Sequence, residues 1–80
     1  MSDFTKELAR LGKQRKRLAK ASQDNLFDIY TVISQHPDLE GVAEREVADL
    51  AGIDRQYVRM SAGRSTTMRV PDWLTARLGR

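Results

Sequence analysis

Glu44 to Gly63, EREVADLAGIDRQYVRMSAG, is the stretch that decides how this chain folds. Val47, Leu50 and Ala51 stand at i, i+3 and i+4, which places them on one helical face. Gly52 ends that helix, because glycine enters the left-handed conformation just past a helix end at little cost. Ile53 fills the turn. Asp54 then caps a second helix, its carboxylate accepting from the free amides of the first turn. Val58, Ser61 and Ala62 give the second helix its inward face, and Ala48 leaves room for the two helices to cross closely.

Working outward from there, Arg64 to Val70 is polar and basic. A single short extended segment with no partner strand predicts a loop rather than a hairpin. Pro71 suits a helix start, and Trp73, Leu74 and Leu78 share one face of a closing helix over 71–78. Upstream, Leu26, Ile29, Tyr30 and Ile33 give an i, i+3, i+4, i+7 core face, with Phe27 and Val32 at its edges. That helix ends near His36, since Pro37 disfavours helical geometry in the residue before it. Pro37 to Gly41 is turn chemistry. Ser22 to Asn25 either cap this helix or continue the one before it. Every apolar segment has a helical period, so the expected fold is all-α, a small bundle of four to five helices.

At the N-terminus, Phe4, Leu8, Leu11 and Leu18 are spaced by four, three and seven, a heptad stripe with Arg15 in the missing slot. Three readings are open: a helix whose leucines join the core, a dimer seam, or a basic helix lying on a membrane surface. The expectation carried forward is self-association through Phe4, Leu8, Leu11 and Leu18. Gly12 lowers helix propensity by about 1 kcal/mol relative to alanine, so fraying is expected there. Residues 1–21 read as a basic amphipathic helix preceding a domain over 22–80.

Eighty residues make one domain. A chain this short buries only about 60% of its unfolded surface, so it should be marginally stable alone. With no cysteine there is no disulfide framework and no thiolate metal site, which suits a cytoplasmic protein. No run is long and apolar enough to span a membrane. The net charge is only +3 but unevenly spread. Residues 1–20 hold seven Lys/Arg against two acids, and residues 55–80 hold six arginines against Asp72. Between them, Arg45 faces eight acids. Basic ends around an acidic middle suit a protein whose ends meet a polyanion while the acidic helices face away. The lone His36 and the paired acids lack a nucleophile, a second imidazole or a phosphate-cradling loop, so no enzyme, metal or cofactor is expected.

Ala48, Gly52 and Val58, spaced as they are, resemble the helix-turn-helix motif of DNA-binding transcriptional regulators over about a quarter of the chain. Relatives of that motif often begin with Ser or Thr at the position of Ala43; here only the later Glu46 is present. The resemblance implies that 54–63 lies in the major groove of double-stranded DNA. Carried onto matching positions, it implies Arg55, Gln56, Arg59 and Met60 as base readers. Arginine suits guanine, glutamine adenine, and methionine a thymine methyl. Tyr57, Arg64, Ser65, Thr66 and Arg69, with Lys13, Lys16 and Arg17, are the expected phosphate contacts. Such a regulator would be nucleoid-associated, from a bacterium, phage or plasmid, and as a homodimer would bind a palindromic site. Two other classes compete: a protein-interaction adaptor using the N-terminal stripe, and RNA binding through the basic ends. The second lacks the interleaved aromatics that stacking on bases requires.

Overall fold

The computed structural model describes residues 3–18 and 22–79. They form five helices: α1 (Asp3–Arg17), α2 (Gln23–Gln35), α3 (Glu44–Ala51), α4 (Arg55–Ser61) and α5 (Asp72–Arg77). A short 3-10 turn, Leu39–Gly41, links α2 to α3. No strand occurs among the described residues, and Arg64 to Val70 is irregular, as expected; the closing helix is shorter than the expected 71–78, with Pro71 and Leu78 as its caps. The first helix ends at Arg17, with Leu18 already outside it; residues 1, 2 and 19–21 of the expected 1–21 helix lie outside the described residues. Helix α2 has its own start: the Ser22 hydroxyl accepts from the Asn25 amide. Two helices, not one long bent one, therefore cover this region.

One core holds these helices together. Phe4, Leu8 and Leu11 from α1 meet Ile29 and Ile33 from α2, Val47 and Ala51 from α3, Val58 from α4 and Leu74 from α5. This overturns the expected dimer seam. Phe4, Leu8 and Leu11 are almost completely buried within a single chain, leaving only Leu18, 38% exposed, on the surface. The stripe is apolar because α3 and α2 cover it. Its buried leucines, Leu8 and Leu11, join the same core as the apolar faces of the other helices.

Gly12 also departs from the expectation. It is buried in the crossing of α1 over α3, where a Cβ would stand 2.0 Å from the Leu50 carbonyl oxygen and 3.2 Å from the Ala51 Cα. Glycine is needed there for backbone contact. Asn25 adds a polar tie between α1 and α2, its side-chain amide donating to the Leu11 carbonyl at 3.0 Å and to the Gln14 Oε1 at 3.3 Å.

The passage from α2 to α3 is tightly bent. Leu39 and Glu40 both adopt positive φ, +57° and +55°, ahead of Gly41 at +77°. A non-glycine residue in that region costs about 1–2 kcal/mol. Leu39 is fully buried, and the burial of a leucine side chain, about 1.5–3 kcal/mol, offsets it. Asp38 steadies the turn by accepting from the Glu40 amide at 3.1 Å. His36 caps the end of α2, packs against the Phe4 ring at 5.1 Å and lies 3.0 Å from the Glu40 carboxylate. At the other end of the chain, Arg77 of α5 sits over the Phe27 and Trp73 rings, 5.5 and 5.9 Å from their centroids, and pairs with Asp24. Trp73 thus closes the core edge.

Candidate nucleic-acid interface

The α3–α4 unit forms by local chemistry. Helix α3 is flanked by Ala43, which offers no side-chain cap, and by Gly52 in the left-handed conformation, φ +65°. The Ile53 amide reaches back to the Ala48 carbonyl at 3.0 Å, the six-to-one bond of a glycine-terminated helix. Asp54 caps α4 by accepting from the Gln56 amide at 2.7 Å. Arg15, the charged residue in the apolar slot of α1, donates from Nε to the Gly52 carbonyl at 3.0 Å. A cation on the last carbonyls of a helix is favourable, and here it also fastens the turn to α1.

Helix α4 is rotated from the expected orientation. Tyr57, Val58, Met60 and Ser61 are buried, whereas Arg55 and Gln56 are exposed and Arg59 is half-buried. At about 100° per residue, the buried positions fill one half of the helix with Val58 at its edge rather than its centre. Two expected contacts fall with this rotation. Met60 is a core residue and cannot meet a thymine methyl. Tyr57 is also buried, and its hydroxyl donates to the Leu26 carbonyl of α2 at 2.7 Å, so it is unavailable to a phosphate. Burial pushes the Tyr57 phenol well above its usual range, with the Arg15 charge opposing, so it stays a neutral donor.

The remaining α4 residues gather around one carboxylate. Glu44, in the first turn of α3, accepts from Arg55 Nε at 3.2 Å and from Arg64 Nη1 at 2.8 Å. Arg59 Nε lies 3.4 Å from its Oε2. The Glu44 side chain is only 12% exposed, although the arginines over it are far more open to solvent. The hydrogen bond from Arg64 is the main cause holding the Glu44 carboxyl below its ordinary range, partly opposed by desolvation. Gly63, φ +73°, makes this possible: it ends α4 and turns the chain so that the Arg64 amide bonds the Arg59 carbonyl at 2.8 Å. Arg64 then returns to Glu44 and to the Pro37 carbonyl at 3.2 Å.

Gln56 is held by a separate chain of bonds. The Met68 amide donates to the Thr66 Oγ1 at 3.2 Å, and the Thr66 hydroxyl donates to the Gln56 Oε1. The donor order aims the carboxamide NH2 of Gln56 away from Thr66. Ser65 and Arg69 are exposed in the same loop. Lys13, Lys16 and Arg17 are exposed on α1, with no hydrogen bond or ion pair to α4 among the described residues.

The structure therefore brings together Arg55, Arg59 and Arg64 through Glu44, and Gln56 with Thr66. Sequence reasoning missed Glu44 and the holding role of Thr66, because both depend on loop geometry. Arg15 was signalled by its place in the heptad. No group of three or more His, Asp or Glu side chains converges as a metal site among the described residues. No helix among the described residues is long and apolar enough to cross a membrane. Comparison with protein-family models, with curated proteins and with solved structures returns no match.

Proposed function

We propose that this protein binds double-stranded DNA in a sequence-specific way, as a small transcriptional regulator of the helix-turn-helix type. In this reading α4 enters the major groove. The observation that carries it is the outward face of α4: Arg55 and Gln56 are exposed and Arg59 half-buried beside them, behind a glycine turn that α1 fastens in place. Gln56 presents an exposed carboxamide, the group that pairs with adenine N6 and N7, and its Oε1 accepts from the Thr66 hydroxyl. Arg64, Arg69 and the basic surface of α1 supply charge for the backbone, which orients the protein without selecting a sequence.

The competing readings have less support. An adaptor gripping a partner through the N-terminal stripe lacks a free stripe, since Phe4, Leu8 and Leu11 are buried. RNA binding would need exposed rings for stacking. Here Tyr57 is buried, Phe27 stacks with Tyr30, and Arg77 covers Phe27 and Trp73.

Selection from a random duplex pool tests the proposal. The purified chain should enrich one short motif, and log affinity should fall with log salt at a slope of about 0.9 per phosphate contacted. A pool that emerges unenriched, with no salt-dependent duplex binding, would overturn it.

A further inference from the structure

Three guanidinium groups face a single carboxylate at Glu44, so positive charge is in excess at that point. Like charges held this close repel. A second anion would relieve that repulsion, and the donors to receive one are present. The terminal nitrogens of Arg55 and Arg59 make no hydrogen bond among the described residues. Arg59 Nε is buried and close to Glu44 without an aligned hydrogen bond, so this one nitrogen is desolvated and short of a partner while the rest of the side chain stays open to solvent. An ordinary solvated ion pair would match one cation with one anion; this cluster does not.

We propose that Arg55, Arg59 and Arg64 form one site for a phosphodiester oxyanion of the DNA backbone, with Glu44 as the positioning residue that sets their spread. The site rests on the DNA-binding reading and divides its labour. Guanidinium forks match the paired oxygens of a phosphate. Arg55 and Arg59, expected to read bases, instead hold the backbone, and sequence selection on α4 passes to Gln56. Glu44 takes the Nε edge of Arg55 and Arg59 and leaves their terminal nitrogens for the incoming phosphate, while Arg64, held by Glu44 and the Pro37 carbonyl, adds its charge at the same point.

The test uses the full chain and the duplex that selection yields, in a series where each member carries one uncharged methylphosphonate in place of one phosphate. Wild type should lose about tenfold in affinity at one backbone position, the value of one strong charge-assisted contact. Arg64→Ala should bind the unmodified duplex about tenfold more weakly and lose its sensitivity at that position alone. Arg55→Ala, at a largely exposed side chain, gives the same comparison without disturbing the Pro37 contact. Glu44→Gln should spread the sensitivity over neighbouring positions. Helical circular dichroism establishes that each variant is folded. If both arginine variants keep the wild-type pattern while sequence-selective binding persists, the three arginines hold no phosphate and the site is wrong. An unchanged single-position pattern in Glu44→Gln overturns the positioning role. If no duplex binds at any salt, the DNA-binding reading fails, and the phosphate site with it.

Discussion

Gly12→Ala is expected to destabilise the protein by about 3 kcal/mol, the upper end of the cost of overpacking. At most positions inside a helix the same change stabilises by about 1 kcal/mol, because alanine is the better helix former. Here the added carbon would sit 2.0 Å from the Leu50 carbonyl oxygen, an atom of α3 that no rotamer change can move. The α1–α3 crossing must open, and the core that depends on it loosens. Urea unfolding followed by circular dichroism measures the effect. A variant as stable as wild type, or more so, would show that the two helices do not cross at Gly12.

The paired change Leu8→Ala with Leu11→Ala should abolish cooperative folding. Both side chains are buried in the common core. Each truncation costs about 2–5 kcal/mol, counting transfer and the cavity left behind. Together they approach or exceed the whole stability of a domain this size, about 4–12 kcal/mol. Leu18→Ala, at an exposed side chain, should change stability by no more than about 0.5 kcal/mol. Thermal melts of the three proteins make the comparison. A sharp melt retained by the double variant would return the stripe to the surface and restore a dimer seam.

These leucines mark the boundary of what the sequence could reveal. A stripe announces that a helix face is apolar, but not whether α3 or a second chain covers it. Gly12 was misread for the same reason: propensity is a property of one helix, whereas its contact belongs to two. The Gly52 turn and the Asp54 cap were legible because each closes hydrogen bonds within a few residues. The core face of α2 was legible because its period was unbroken. Met60 and Tyr57 fall on the buried side because Val58 stands at the edge of the buried face of α4 and not at its centre, and a seven-residue helix offers too few positions for a sequence pattern to fix that face. Glu44 and Arg64 are twenty residues apart, and only the glycine-ended turn after α4 brings them together. The all-α architecture could be read from the sequence; the partners of its charged side chains could not.

Gln56 offers the most direct test that α4 reads bases. Its amide is exposed and oriented by Thr66, and it takes no part in the Glu44 cluster. Affinity of wild type and Gln56→Ala should be measured on the selected duplex and on a scrambled duplex of the same composition, at several salt concentrations. The substitution should cost about 1–3 kcal/mol on the selected duplex and relax preference at one base pair. Binding to the scrambled duplex and the salt slope should hardly change, because no phosphate contact is lost. Equal weakening on both duplexes would mean that α4 does not select sequence, and the DNA-reading role assigned to it would be wrong.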